Sequence, residues 1–407
     1  MALPSVHRRT TMDDDRLVDV IEAAAPVQTV RGDEDAAYLR AMPGSAGRSG
    51  SLTNRKGLRL AVYLWPHSTG TEFRGVVGLL HGHGSHTGFE FLRAPRTPGG
   101  YPAYEGSWVE ALNARGFSVA GMDFHGMGRS EGVKWYVDRF DDYVDDAEIL
   151  VRAITRGVRG VPGFPSACRP FLIANSMGGG VCAHILHRAA CSLSLSRSRS
   201  RSGGDGRGGG EREPPTSSSS DPRALSYLGG VAMLSPMLSL QSVERSQHVI
   251  LTCLARALDL LWPWAQVVRG GKENSCSEDQ QRWERDPYTS GARPTRVRNA
   301  LEYLRACRRE RTMPERVPVL LFHSRNDSWT DFSGTELYYE TSRSRDKTLH
   351  PLDGNEHLLT QGPRAPTVLT HVLDWITQRA DARRALPDSD PDPGQQNRGR
   401  DGIHRVS

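Results

Sequence analysis

The chain predicts an α/β fold, a mostly parallel sheet with helices on both faces. Two observations carry this. Short apolar runs alternate with segments of helical period, and the runs break into glycine-bearing loops. In order, Leu58–Leu64 alternates like an early strand, and Gly75–Leu80 reads as a short buried strand ending at His81-Gly82. Trp108–Arg115 has helical spacing and closes on Gly116. The strand Phe117–Met122 then breaks into Asp123-Phe-His-Gly-Met-Gly-Arg-Ser-Glu-Gly132. Tyr143–Ile154 is an amphipathic helix with acidic residues in its early turns, where they suit the dipole. A strand at Phe171–Ala174 and a helix at Gly179–Ala190 follow, then strands at Gly229–Leu234 and Val317–Phe322. The last helix, Ala365–Gln378, is apolar at Val368, Leu369, Val372, Leu373 and Ile376.

At 407 residues the chain can hold one large domain with additions, or two domains. Hydrophobic residues make up only 37%, which suggests that unstructured segments dilute an ordinary core. Ser192–Arg223, with Ser-Arg repeats, a glycine run, Pro-Pro and four consecutive serines, reads as a low-complexity surface insertion. Residues 1–50 read as a largely disordered extension and 380–407 as a disordered tail, leaving the main folded region at 51–379. Residues 293–316 hold eight arginines against three glutamates, which matches the whole net charge of +5. A solvated helix face and a docking patch for anionic lipid both fit this stretch. The short Arg-Ser repeat comes with no RNA-binding module, so nucleic acid is not expected as a partner. The six cysteines form no Cys-x-x-Cys pair and are read mainly as buried free thiols. No apolar signal region opens the chain and no run of about 18 apolar residues occurs, so an intracellular protein, cytoplasmic or peripheral to a membrane, is expected.

Between Leu234 and Val317 lie mainly helical residues, within which His248–Val268 carries only Arg256 and Asp259 as charged groups. Pro263, flanked by Trp262 and Trp264, should end or kink this helix. Two readings stay open: a buried structural helix, or a lid presenting an apolar face.

The most informative ten residues are Phe171-Leu-Ile-Ala-Asn-Ser176-Met-Gly-Gly-Gly180. A strand delivers a serine to a sharp turn crowded by small residues, and a helix starts at once. Such a turn exposes the hydroxyl and offers unpaired N–H groups to a developing oxyanion. A serine needs a base, and the base works best when a carboxylate fixes its tautomer. Asp327 follows the strand Val317–Phe322 and is favoured over Asp331; His357 stands in a glycine-bearing loop before the last helix. Ser176, Asp327 and His357 are therefore the candidate nucleophile, acid and base. Two backbone donors are needed for an oxyanion hole. Met177 is one, and His83 the other, with Gly84 as the alternative, both in His81-Gly-His-Gly-Ser-His86. This His-x-His-x-x-His spacing also suits a metal, but it lacks carboxylate company in sequence, and no metal or cofactor is assigned.

These motifs together resemble the monoacylglycerol lipase/lysophospholipase branch of the α/β-hydrolases, also known as serine aminopeptidase S33-like or Hydrolase_4. The resemblance rests on His-Gly-x-Gly-x-His, Ala-Leu-Asn-Ala-Arg-Gly-Phe-Ser-Val, Asp123 to Gly132, Tyr143-Val-Asp-Asp-Ala-Glu, Asn175-Ser-Met-Gly-Gly, Leu234-Ser-Pro-Met-Leu and Arg285-Asp-Pro. It spans about Leu52–Gln378 apart from the insertion. It implies an eight-stranded sheet, a helical cap after strand six at about residues 237–314, and cofactor-free hydrolysis of lipid esters, such as monoacylglycerol or lysophospholipid. The alternatives are an S33-type aminopeptidase, a small-ester esterase, or a catalytically weak binding protein on the same fold. Peripheral membrane contact through the cap is expected, and the oligomeric state stays open. Three departures stand out: Asn175 where these lipases commonly carry histidine, Ala174 in place of glycine, and a long loop, Thr87–Tyr104, beside the oxyanion segment.

Overall fold

The computed structural model describes residues 47–95, 100–201, 228–242, 249–268, 277–309 and 316–385. Eight strands form the central sheet: β1 (Arg48–Thr53), β2 (Arg59–Trp65), β3 (Gly75–Leu80), β4 (Phe117–Met122), β5 (Phe171–Asn175), β6 (Gly230–Leu234), β9 (Val319–Ser324) and β10 (Lys347–Leu352). Their order is β1-β2-β4-β3-β5-β6-β9-β10. β2 is antiparallel to both neighbours, β1 and β4, and every other pairing is parallel. β7 (Gln266–Val268) and β8 (Thr295–Arg296) make a separate ribbon.

Neighbouring residues of a strand point to opposite faces, and here both faces are dry. Val76, Leu80, Leu172 and Ala174 join a core with α3 (Phe140–Arg156) and α4 (Met177–Arg201). Val77, Leu79, Phe171 and Ile173 join another with α2 (Trp108–Ala114) and α9 (Ala365–Arg384). Both flanking layers therefore follow from continuous apolar runs in the strands. Ser107 caps α2 by accepting from Glu110 N at 3.1 Å, and Gly157 ends α3 at φ 83°.

Several boundaries differ from the sequence reading. β1 begins at Arg48, inside the segment expected to be disordered, and α9 runs to Arg384. α4 continues to Arg201, so the first part of the Ser-Arg insertion is helix. The rest of the insertion, most of the N-terminal extension and the end of the tail lie outside the described residues. The loop Thr87–Tyr104 opens with a helix, α1 (Thr87–Phe91), and contains a bridge between Arg93 and Ala103. Cys168 and Cys182 are free thiols; Cys182 is buried and Cys191 exposed.

Between β6 and β9 the described helices are α5 (Val249–Leu261), α6 (Ser277–Arg285) and α7 (Val297–Arg308), and α8 (Phe332–Thr341) lies between β9 and β10. α5 stops at Leu261, before Trp262-Pro263 as the proline requires. Its end is not buried: Leu260, Leu261, Trp262 and Trp264 are all exposed. The arginines of α7 and its flanks are largely engaged, Arg298 with Asp259, Arg305 with Glu302 and Arg309 with Asp141. Among the described residues no helix is long and apolar enough to cross a membrane.

Candidate active site

The C-terminal ends of β3, β5, β6, β9 and β10 converge on one edge of the sheet, where parallel sheets place their ligands. Ser176 follows β5 with φ 51°, a left-handed conformation that a serine adopts only when its surroundings enforce it. The enforcement is visible. Ser176 N donates to Leu234 O at 2.9 Å, and Ser176 O accepts from Met237 N at 2.8 Å and Gly179 N at 3.0 Å. α4 starts at the next residue, so the Met177 N–H lies in a first turn that has no intrahelical acceptors. A Cβ on Gly178 would sit 2.4 Å from Leu80 O, so glycine is what allows this turn against β3.

Ser176 Oγ lies 2.8 Å from His357 Nε2, and His357 Nδ1 lies 2.6 Å from Asp327 Oδ2. With Nδ1–H donated to the carboxylate, Nε2 is free to accept the serine proton. Asp327 also accepts from Trp329 N at 2.8 Å and from Thr330 Oγ1 at 3.1 Å. Burial alone would raise its pKa, but the His357 charge and hydrogen bonds from His323 and His357 hold it well below the usual carboxylate range. Its side chain is 0% exposed while that of His357 is 13% exposed, so the carboxylate is sealed and the imidazole remains within reach of water. Asp331 lies elsewhere, accepting from Ser239 Oγ and Ser242 N.

In the loop after β3 the three histidine rings diverge. His81 bonds Gly82 O through Nδ1 and accepts Phe124 N through Nε2; burial lowers its pKa to about 4. His83 Nδ1 meets Tyr303 Oη at 2.6 Å, and burial holds this ring neutral too, at about 4. His86 caps α1 through Nδ1 and reaches Asp286 at 3.1 Å through Nε2. Among the described residues no group of three or more ligand-type side chains could hold a metal ion. The Gly84 carbonyl accepts from Ser290 N at 2.7 Å.

The family model for serine aminopeptidase S33 matches residues 100–195 and 222–363, more than half the chain. The chain belongs to the serine aminopeptidase S33 family. It is an α/β-hydrolase and a serine ester hydrolase of the monoglyceride-lipase-like type. A mouse monoglyceride lipase is 27% identical over 342 residues, covering 82% of this chain and 92% of that relative. A monoacylglycerol lipase of Mycolicibacterium smegmatis is 23% identical, covering 79% and 93%. The crystal structure of a soluble variant of monoglyceride lipase from Saccharomyces cerevisiae, in complex with a substrate analog, has the same fold. It superposes with TM-score 0.57 at 17% identity, covering 84% of this chain and 98% of that one.

Other motifs of this S33 hydrolase build the frame around the serine. Asp123 accepts from Tyr63 Oη at 2.9 Å, Thr87 N at 2.9 Å and Arg129 N at 3.0 Å, tying β2, α1 and its own loop together. Asp146 holds His125 Nδ1 at 2.6 Å and Asn54 Nδ2 at 2.8 Å. Sequence reading missed two residues near Ser176. Tyr303 of α7 lies 3.4 Å from Met177 Sδ as well as against His83. Glu90 of α1 accepts from Gly82 N at 2.8 Å and from Asn175 Nδ2 at 3.1 Å. The visible signal for Glu90 was a lone charge inside the apolar run Phe89-Glu-Phe-Leu92.

Proposed function

We propose that this hydrolase cleaves monoacylglycerol or lysophospholipid esters through an acyl-enzyme, without cofactor or metal. The observation that carries the reading is the continuous relay from Ser176 Oγ through His357 to sealed Asp327, at 2.8 and 2.6 Å. His357 Nε2 takes the Ser176 proton as Oγ attacks the ester carbonyl, and the Met177 and His83 amides receive the oxyanion. Collapse of the tetrahedral adduct expels the alcohol, protonated by His357. Water, deprotonated by the same nitrogen, then releases the fatty acid and restores the serine. Asp327 stays ionised, fixes the Nδ1–H tautomer and balances the imidazolium.

The lipid class draws support from the monoglyceride and monoacylglycerol lipase relatives and from the segment between β6 and β9. That segment lies on the loop after β3 through Tyr303, Ser290 and Asp286, as a cap over the serine would. The cap also offers Leu260, Leu261, Trp262 and Trp264 to solvent, which suits peripheral contact with a lipid surface.

The test is turnover of monooleoylglycerol, lysophosphatidylcholine, p-nitrophenyl butyrate and an aminoacyl p-nitroanilide by the full chain and Ser176→Ala. Long-chain lipid esters should be the best substrates, and Ser176→Ala should lose at least about four powers of ten in kcat. Wild-type ester turnover by Ser176→Ala would overturn the assignment; preference for the anilide would overturn the substrate class.

A further inference from the structure

Glu90 is a carboxylate in a place where carboxylates are seldom found. It is 2% exposed and sits on α1, flanked by Phe89 and Phe91. Its two oxygens divide between the two segments that shape the nucleophile. Oε1 takes the Gly82 amide at the start of the oxyanion loop, and Oε2 takes the Asn175 side chain one residue before Ser176. Gly82 itself is pressed between them: a Cβ there would lie 3.0 Å from Ser176 Cβ and 3.1 Å from Glu90 Oε1. The third segment of the site is tied to the same helix. Gln361, four residues after His357, donates to Phe89 O at 3.1 Å, Glu90 O at 2.8 Å and Leu92 O at 3.0 Å. Asn175 Oδ1, in turn, is buried without a partner among the described residues.

We infer that Glu90 is a positioning residue of the reaction, setting the spacing between oxyanion loop and nucleophile and adding a second negative charge behind His357. The inference rests on Ser176 and His357 being the reacting pair. The His357 charge pulls the Glu90 pKa down, after the larger influences of burial and of Gly82, Ser85 and Asn175. His81 and His86, in the same loop, turn their rings to Gly82 O and Phe124 N, and to Asp286 and Phe89 N. An imidazolium forms on His357 only as the tetrahedral adduct forms. A fixed carboxylate nearby therefore favours the transition state over the ground state. Burial raises the Glu90 pKa to about 7, against the pull of the Gly82, Ser85, Asn175 and His357 interactions, so the charge is present in mildly alkaline solution and absent in acid. The pair Glu90–Asn175 also accounts for Asn175: its amide supplies the donor that the second carboxylate oxygen needs.

The experiment is the rate of labelling by a fluorophosphonate ester across pH, with steady-state kcat and KM on p-nitrophenyl butyrate and thermal melts as fold controls. Mapping the labelled peptide to Ser176 in wild type tests the parent assignment alone; the ratio of variant to wild type tests Glu90. For Glu90→Gln we expect kcat lower by about tenfold to a hundredfold with KM within about twofold. The wild-type acid limb should fall more steeply near pH 7 than that of Glu90→Gln, because only the wild type loses the Glu90 charge there. A Glu90→Gln protein with wild-type kcat and acid slope overturns the inference. Asn175→Ala provides the second reading should Glu90→Gln fail to fold. It keeps the carboxylate but removes a donor to it, so the acid limb should move to higher pH. An unmoved limb in folded Asn175→Ala overturns the inference as well.

Discussion

Gly178 stands two residues past Ser176, where helix α4 leaves the sheet closer to β3 than any side chain permits. The neighbour a Cβ would meet, at 2.4 Å, is the Leu80 backbone carbonyl, which cannot rotate away as a flexible side chain could. Gly178→Ala should therefore push the first turn of α4 off β3 and cost about 1–3 kcal/mol, read as a lower denaturant midpoint. Because Met177 N–H moves with that turn, kcat should fall further than the melt alone explains. An unchanged midpoint and kcat would show that the contact relaxes without consequence. The same scale explains what sequence could reveal of the site. Ser176, Asp327 and His357 were legible as candidates because each sits in a loop directly after a strand or before a helix, in the chain order such sites need. Glu90 was not, since nothing in Phe89-Glu-Phe-Leu92 tells an exposed charge from a buried one reaching back across a glycine. His83 was singled out for its backbone, yet its ring is also committed, to a tyrosine 220 residues away.

At the level of elements, the inner strands were readable and the outer ones were not. β3, β4 and β5 are buried on both faces, so they appear as unbroken apolar runs. β1, Arg-Ser-Gly-Ser-Leu-Thr, places only Leu52 in the core, and β10 carries Pro351, which an edge strand tolerates. Edges need less apolar surface, so their sequences carry less signal. The end of α5 makes a stronger statement. Leu260 and Leu261, each 84% exposed, adjoin Trp262 and Trp264 at 55% and 54%, an apolar tip that water does not favour. If this tip enters a lipid surface, Leu260→Ser/Leu261→Ser should weaken co-sedimentation with phosphatidylcholine vesicles by about tenfold or more. Turnover of dispersed monooleoylglycerol should fall with it, while turnover of soluble p-nitrophenyl butyrate stays unchanged. Equal vesicle binding by variant and wild type would remove the tip from any role at a membrane.

Across the whole molecule, the two buried carboxylates of the site work on stability in opposite directions. Asp327 is held below its ordinary pKa. Its contribution is complete above the unfolded value near 3.8 and is lost as pH falls through the folded value. Glu90 is raised from 4.5 to about 7. Between those values the native state keeps a proton that the unfolded chain has released, so stability falls as pH rises, by about 3 kcal/mol from this group. Above pH 7 both states have released it and the loss is complete. Glu90→Gln should remove this slope at little structural cost. Its amide oxygen can still accept the Gly82 N–H, and its nitrogen can donate to Asn175 Oδ1, which lacks a partner among the described residues. Urea unfolding at pH 5 and pH 8 should therefore show wild type losing more stability than Glu90→Gln over that interval, with the variant the more stable protein at pH 8. Combined with the expected drop in its kcat, that result would mean the fold retains a destabilising charge because the reaction uses it. Parallel pH dependences for the two proteins would instead place the Glu90 carboxyl in water-like surroundings and remove the basis for its coupling to His357.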